Sequence, residues 1–323
     1  MRDLVFISSP FQLVCFFEYT KHQNLKEYDL FIYYIGERDK EQFLNLCELY
    51  SINGYSLIKI RKAIQYLHFC KLADRYHKIN KIIIGNFFTD TFLFLVNKID
   101  YKELIVLDDG INSFEISKHL KKNSRISPQS YLKLFFNKLF RIDISYPKNI
   151  KLFTIFDIKQ SDRISIIKNN FTNIISKVNT NQFDDSAYII GQPFVELKLL
   201  SKEAYDLILY KALKSINKKH IYYIPSRKET KINIQNIENR HDIKALIINY
   251  PLEVFFLMSP SPDLVIGFTS TALITLNKII NNLKSETIIN SFKINKFESP
   301  SYQERSSLIY NQIEKNKIKI IEH

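Results

Sequence analysis

The sequence predicts an α/β protein made of two Rossmann-like domains, each with a mostly parallel sheet. The first observation is that all glycines but Gly54 follow a short apolar, β-prone run; they are Gly36, Gly85, Gly110, Gly191 and Gly267. The second is that longer helical patterns, for example residues 41–50 and 204–216, lie between these runs. Strands that alternate with helices indicate βαβ units and parallel sheets. The third is a length of 323 residues, enough for two domains of ordinary size.

In chain order, the apolar runs form two series. The first run, residues 4–7, turns through Ser8-Ser9-Pro10 into a helix from about Phe11. Residues 168–185 are rich in Asn, Thr, Lys and Asp and are typical of a linker. Further strands are predicted at 31–35, 58–60, 82–84, 104–107 and 152–156 before this segment, and at 188–190, 221–224, 245–248 and 264–268 after it. We therefore predict an N-terminal domain over 1–182 and a C-terminal domain over 183–323, facing a central cleft.

The composition is typical of a globular cytoplasmic protein. Hydrophobic residues make up 46% of the chain and charged residues 24%. No stretch approaches the ~18 uninterrupted apolar residues of a transmembrane helix, and the N-terminus shows no signal-peptide pattern. The three cysteines, Cys15, Cys47 and Cys70, have no metal or redox spacing. They are typical of buried thiols in a reducing compartment.

The formal net charge of +13 predicts an anionic partner or surface. The lysines are spread along the whole chain, however, a pattern that AT-rich codon usage also produces. No nucleic-acid-binding module is recognised, which argues against a nucleic-acid partner. The basic amphipathic segment 130–141 has two open interpretations. It either makes peripheral contact with an anionic inner-membrane surface or packs its Phe and Leu residues on a core.

Two carboxylates stand at the end of one predicted strand. The run 104–107 is followed at once by Asp108, Asp109 and Gly110. Open α/β sheets bind ligands at the carboxyl ends of their strands. Because successive strand side chains point to opposite faces, one carboxylate can face a cleft as a base while the other hydrogen-bonds the turn. Gly110 supplies the positive φ of a sharp exit, and a plain Asp-Gly turn after a core strand is the alternative interpretation.

The second series contains a segment suited to binding phosphate. Residues 264–268 are predicted to form a strand, and Thr269, Ser270 and Thr271 stand where a helix begins. A helix start combines unpaired N–H groups with the positive end of the helix dipole, and adjacent hydroxyls add further donors. A simple N-cap explains the same hydroxyls.

Three other segments of this half carry charged or turn-forming residues. Arg227 and Lys228 follow a strand end, where they could bind anionic oxygens. Glu229 could pair with Arg227 or accept hydrogen bonds from a ribose. A surface salt-bridge cluster is the alternative interpretation. Glu253 stands in the first turn of an apolar helix, where dipole placement explains it. The segment 191–196 opens the second domain as a turn. No G-x-G-x-x-G, P-loop or Asp-x-Asp metal pair occurs, and no histidine has metal spacing.

Six segments, in collinear order up to about residue 280, resemble motifs of bacterial sialyltransferases, in particular glycosyltransferase family 52 and the capsular polysialyltransferases. They are Ile7-Ser-Ser-Pro-Phe-Gln-Leu13, Leu107-Asp-Asp-Gly110, Ile190-Gly-Gln-Pro-Phe-Val-Glu196, Tyr223-Ile-Pro-Ser-Arg-Lys-Glu229, Pro251-Leu-Glu253 and Gly267-Phe-Thr-Ser-Thr-Ala-Leu273. The resemblance implies a GT-B fold and an inverting, metal-independent enzyme. It would transfer sialic acid from CMP-N-acetylneuraminate to a hydroxyl of a bacterial surface glycan, such as lipooligosaccharide, O-antigen or capsule.

The resemblance also implies roles for individual residues. The catalytic base falls on Asp108 and Asp109, with Asp108 preferred as the base and Asp109 as its orienting partner. The N-terminal domain would then take the acceptor and the C-terminal domain the donor. The donor side would include Gly191, Pro193, Ser226, Arg227, Glu229, Glu253, Ser270 and Thr271, and the first strand end would bring Ser9, Pro10 and Gln12 to the cleft.

One residue departs from the family pattern. Ser226 stands where a histidine is usual, and a serine donates a hydrogen bond but does not act as an acid near neutral pH. Two alternatives therefore stay open. One is a GT-B transferase with another donor, such as CMP-Kdo or a UDP- or GDP-sugar. The other is a non-catalytic descendant that binds glycan or nucleotide.

Overall fold

The sheets of this protein consist of parallel strands throughout. The structure is a computed structural model and describes residues 2–60, 65–122, 142–176 and 183–322. The chain divides into two compact units, Met1–Asn173 and Ile174–His323, and each contains one sheet. All strand pairs within the two sheets are parallel. The α/β class with two parallel sheets, predicted from the sequence, is confirmed.

The first unit holds a seven-stranded sheet with helices between its strands. Its strands are β1 (Asp3–Ile7), β2 (Tyr28–Tyr34), β3 (Tyr55–Lys59), β4 (Lys78–Ile84), β5 (Asp100–Leu107), β6 (Ile150–Thr154) and β7 (Ile164–Lys168). Its helices are α1 (Pro10–His22), α2 (Glu37–Leu49), α3 (Gln65–Arg75), α4 (Asp90–Lys98) and α5 (Ile111–Lys122). The short helix α6 (Thr172–Ile175) spans the boundary between the units.

The strand order of this sheet is β3-β2-β1-β4-β5-β6-β7. Strand β1 lies between β2 and β4 and is buried along its whole length, which explains its unbroken apolar run. Asp3, at its start, is also buried, and its Oδ1 accepts a hydrogen bond of 3.0 Å from Asn80. The strand order reverses between β1 and β4, which makes the carboxyl ends of these two strands the switch point of the sheet. This is where open α/β sheets bind ligands.

The second unit repeats this design with six strands. They are β8 (Phe183–Ile190), β9 (His220–Ile224), β10 (Lys244–Ala245), β11 (Ser261–Gly267), β12 (Ile288–Phe292) and β13 (Lys319–Ile321). The helices are α7 (Lys202–Lys214), α8 (Lys231–His241), α9 (Leu252–Met258), α10 (Thr271–Leu283) and α11 (Pro300–Lys315). The strand order is β10-β9-β8-β11-β12-β13, so the reversal here lies between β8 and β11.

Aromatic side chains pack against one another in both cores. In the first unit, Phe6 stacks on Phe31 with 5.5 Å between ring centroids. In the second unit, Phe194 packs edge-on against Tyr205 and tilted against Phe297, each at 5.5 Å. Phe194 belongs to the turn that follows β8, so its burial anchors that turn to the core.

Several elements differ from the sequence prediction in extent. Strand β10 covers only Lys244–Ala245, shorter than the predicted run 245–248. Strand β8 begins at Phe183, within the segment predicted as a linker. Strand β7, ending at Lys168, strand β12 and the edge strand β13 were not predicted.

Among the residues described, no helix is both long and apolar enough to cross a bilayer. The amphipathic segment 130–141 lies outside the described residues, so its two interpretations stay open.

Candidate functional site

Asp108, the first residue after β5, is enclosed by the first unit. It is fully buried, and its Oδ2 accepts a hydrogen bond of 2.7 Å from the backbone N–H of Ile155. Burial raises the pKa of Asp108 to about 6, while hydrogen bonds involving Thr154, Ile155 and Ser113 oppose the rise. The side chain therefore ties the end of β5 to the segment that follows β6.

Asp109, the next residue, is half-buried and held by two amides. Its Oδ1 accepts a hydrogen bond of 2.7 Å from Gln12 Nε2, and its Oδ2 accepts one of 2.7 Å from Asn112 Nδ2. Its own backbone N–H donates to Ser113 Oγ at 3.0 Å. The chain then turns at Gly110, whose φ of 58° is in the left-handed region. The two adjacent carboxylates thus have different surroundings, as strand alternation predicts.

Gln12 reaches Asp109 from the segment that follows β1. Ser9 is the N-cap of α1 and forms a capping box with Gln12, and Pro10 occupies the first turn. On the neighbouring strand, Gly85 follows β4, and a Cβ built on it would lie 2.1 Å from Gln12 Oε1. Only glycine leaves room for the glutamine amide there. The predicted residues Ser9, Gln12 and Asp109 therefore meet at the reversal point of this sheet.

In the second unit, the predicted phosphate segment forms the start of α10. Ser270 is the N-cap, and its Oγ accepts a hydrogen bond of 3.3 Å from the backbone N–H of Ala272. Thr271 is the first residue of the helix and is half-buried. Thr269 is buried, and its hydroxyl lies 3.0 Å from that of Tyr302. The capping role considered from the sequence is present, and the helix N-terminus stands directly after a central strand.

The loop that carries Arg227 is held by the buried carboxylate of Glu229. Glu229 Oε1 accepts a hydrogen bond of 2.5 Å from Tyr223 OH, and Oε2 accepts one of 2.5 Å from the backbone N–H of Ser226. The hydroxyls of Tyr205 and Tyr223 lie 3.0 Å apart. Burial raises the pKa of both tyrosines well above the ordinary value, so they remain hydrogen-bond donors. Glu229 therefore positions the loop from within.

A second glutamine, Gln192, connects Tyr205 with the segment that precedes α10. Gln192 Nε2 donates to the carbonyl of Thr269 at 3.1 Å, and its backbone N–H donates to Tyr205 OH at 3.3 Å. Beside it, a Cβ on Gly191 would lie 2.2 Å from Tyr223 OH. Gln192, Tyr205 and Tyr302 were not assigned roles from the sequence. The segment 191–196 was the signal available for Gln192.

The remaining predicted donor-side residues differ in burial and in hydrogen bonding. Arg227 is exposed, and Ser226 is half-buried and accepts a hydrogen bond of 3.4 Å on its Oγ from the backbone N–H of Lys228. Glu253 is buried in the first turn of α9, and burial raises its pKa to about 7, opposed by the charge of Arg227. Pro193 forms a turn in which its carbonyl accepts a hydrogen bond of 3.0 Å from the N–H of Leu197.

No metal site is recognised in the described part of the chain. Within it, no group of three or more His, Cys, Asp or Glu side chains is arranged to hold a metal ion.

Comparisons with known proteins identify the fold. No protein-family model matches the chain, and no curated protein sequence is significantly similar to it. The α/β-galactoside α-2,3-sialyltransferase of Photobacterium phosphoreum aligns with a TM-score of 0.53 at 15% identity, over 99% of this chain and 98% of that one. The UDP-GlcNAc 2-epimerase of Neisseria meningitidis, bound to UDP-GlcNAc, aligns with a TM-score of 0.57 at 10% identity, over 99% and 95%. The MnaA protein of S. aureus, in complex with UDP, aligns with a TM-score of 0.53 at 9% identity, over 97% and 87%. The GT-B fold implied by the sequence motifs is therefore confirmed.

Proposed function

We propose that this chain is a glycosyltransferase in which Asp109 accepts the proton of an acceptor hydroxyl. The observation that carries the proposal is the carboxylate of Asp109, which is half-buried after a central strand and accepts one amide hydrogen bond on each oxygen. A carboxylate held in a fixed orientation is suited to general-base catalysis. Asp108 is enclosed and bonded to Ile155, so we assign it a positioning role. This assignment reverses the roles first expected for the two residues.

The donor we propose is a nucleotide sugar whose phosphate is bound by the second unit. The N-terminus of α10, with Ser270 and Thr271, and the guanidinium of Arg227 would neutralise the charge that develops on the phosphate. The acceptor oxygen forms its bond to the anomeric carbon as the bond from that carbon to the phosphate oxygen breaks, so the configuration inverts. With Ser226 at the position of the usual histidine, departure of the nucleotide depends on charge neutralisation and not on proton donation. We expect no metal requirement.

We favour CMP-N-acetylneuraminate as the donor. Six collinear sequence segments support it, and so does the likeness in fold to a bacterial α-2,3-sialyltransferase. A second candidate is an epimerase that acts on a UDP-sugar, which the likeness in fold to a UDP-GlcNAc 2-epimerase favours. The two candidates require different nucleotides, so binding experiments separate them.

The first test measures thermal stability in the presence of CMP, CDP, UMP, GMP, UDP and CMP-N-acetylneuraminate. We expect selective stabilisation by CMP and by the CMP-sugar, reduced in an Arg227→Ala variant and retained in the control Lys231→Ala, because Lys231 is exposed on α8. Selective stabilisation by UDP would instead direct the work to UDP-sugars, including an assay for epimerisation of UDP-GlcNAc. Absence of any nucleotide effect would contradict the proposal.

The second test measures transfer to galactose-terminated acceptors. Asp109→Asn should lower kcat by about 10² or more, the contribution typical of a general base. Asp162→Asn, on the exposed surface of the same unit, serves as the matched control and should leave kcat unchanged. Turnover should also persist in EDTA, and loss of turnover that added Mg²⁺ restores would overturn the metal-independent mechanism.

We also propose that the acceptor is a bacterial surface glycan, sialylated in the cytoplasm at the inner face of the membrane. The net charge of +13 supports an affinity for anionic lipid. Co-sedimentation with vesicles that contain phosphatidylglycerol should exceed that with phosphatidylcholine alone and should fall as salt is added. Equal co-sedimentation with both kinds of vesicle would contradict this part of the proposal.

A further inference from the structure

We propose that Gln12 is a positioning residue that sets the orientation of the Asp109 carboxylate. The inference rests on the proposed function, because it concerns the residue to which general-base catalysis is assigned. Gln12 is almost completely buried, at 1% exposure, and its Nε2 lies 2.7 Å from Asp109 Oδ1. Sequence motifs place this residue near the first strand end and assign it no bond to the base.

The orientation of the Gln12 amide is dictated by its other end. Gln12 Oε1 accepts hydrogen bonds from the backbone N–H groups of Ser8 and Ser9, at 2.8 and 3.1 Å, and from Ser8 Oγ at 3.2 Å. Backbone N–H groups only donate, so rotating the amide by 180° would set its NH₂ group against two donors. The NH₂ group is therefore committed to the side on which Asp109 lies.

The neighbouring strand leaves room for this arrangement. Gly85 follows β4, and a Cβ at this position would overlap the Gln12 side chain, with 2.1 Å to Oε1 and 2.4 Å to Cδ. The φ of Gly85 is not in the left-handed region, so backbone conformation alone does not require glycine there. Glycine is required at this position because the Gln12 amide approaches so closely. Three segments, those after β1, β4 and β5, thus converge on one side chain.

A glutamate at this position separates a positioning role from a structural one. Gln12→Glu retains an oxygen for the donors of Ser8 and Ser9, and Glu is a usual third residue of a capping box, so the start of α1 keeps its bonds. The permanent N–H donor to Asp109 is replaced by an oxygen that donates only when it is protonated. The two carboxyl groups then either repel each other or share one proton. In both cases the carboxylate of Asp109 is no longer held ready to accept a proton.

The experiment compares kcat, donor KM and thermal stability for the wild type, Gln12→Glu and Gln12→Met. We expect kcat to fall on the order of 10²-fold in both variants, a loss typical of a misplaced catalytic group. Donor KM should change little. The melting temperature should fall more in Gln12→Met, which loses the acceptor as well. A Gln12→Glu variant with wild-type kcat would overturn the inference, because a merely structural glutamine would be replaced by it without loss.

Two further measurements keep the outcomes distinct. Gly85→Ala should displace the amide and lower kcat, whereas Gly36→Ala should not, because the nearest atom to a Cβ there lies 3.8 Å away. The side-chain NMR resonances of the Gln12 amide, identified by their loss in Gln12→Glu, should shift in Asp109→Asn. Unchanged resonances would overturn the inference whatever the activity. A wild type that turns over none of the donors would defeat the proposed function, while the NMR result would still report on the contact.

Discussion

The buried carboxyl of Asp108 should make the first unit less stable as the pH rises. The perturbation is Asp108→Asn, which removes the charge and keeps an oxygen for the N–H of Ile155. Burial raises the pKa of Asp108 from 3.8 to about 6. Because the folded-state pKa is the higher one, the unfolded chain releases a proton between about pH 4 and pH 6 that the folded protein keeps. Stability is therefore lost across this window.

The expected magnitude follows from the same values. At 1.36 kcal/mol for each pH unit of difference, the loss in the wild type is about 3 kcal/mol. Asp108→Asn escapes this loss, so its stability relative to the wild type should improve by about 3 kcal/mol between pH 4 and pH 8. For a unit of this size the melting temperature should change by roughly 6–12 °C.

The assay is urea or thermal unfolding of both proteins between pH 4 and pH 8, with the exposed Asp162→Asn as the control. The control should follow the wild type at every pH. A constant difference between Asp108→Asn and the wild type across this range would refute the linkage argument. Turnover adds a second readout, because Asp108→Asn should retain much more of it than Asp109→Asn.

Three other changes test the second unit and its helices. Gly191→Ala should destabilise the protein by roughly 1–3 kcal/mol, because its Cβ would overlap Tyr223 OH; Gly36→Ala is the control in urea unfolding, and an equal effect of both would contradict the close packing. Tyr223→Phe should lower the free energy of unfolding by roughly 1.5–3 kcal/mol, because it removes a hydrogen bond to the carboxylate of Glu229. It should also weaken CMP binding in calorimetry. Unchanged CMP affinity would show that other contacts hold the loop. Lys284→Gly should stabilise by about 0.5–1 kcal/mol, because Lys284 ends α10 in the left-handed region at a φ of 55°; a lower unfolding free energy would contradict this.

The sequence predicted the fold class partly because a glycine ends or closely follows five strands, β2, β4, β5, β8 and β11. These ends lie at the carboxyl edge of a sheet, where the chain turns closely past its neighbours, as Gly85 and Gly191 show. Strand β12 was not predicted because its apolar run is only Ile288-Ile289, followed by the polar Asn290 and Ser291. Ser291 is buried and satisfied by donating to the carbonyl of Phe268 at 2.8 Å, a tertiary contact that a local pattern does not reveal.

The candidate site was predicted in its parts but not in its connections. Strand alternation separates Asp108 from Asp109, yet which of them faces the interior depends on the segment after β6 that supplies the N–H of Ile155. The support of the second unit likewise depends on Tyr205 and Gln192 meeting residues far along the chain. Such contacts depend on how the folded sheet packs, and no regular residue spacing in the sequence indicates them.

Neutral side-chain amides position functional residues in each unit. Gln12 and Asn112 hold Asp109, and Gln192 holds the backbone at Thr269, all through side-chain amides. Amides do not titrate in the physiological range, and salt screens charged groups far more than it weakens neutral hydrogen bonds. These amides therefore add no titration of their own, so a pH response at the Gln12–Asp109 contact would report on the Asp109 carboxylate. At high salt the amide donors would stay in place, whereas under the proposed function the capture of an anionic nucleotide sugar would slow.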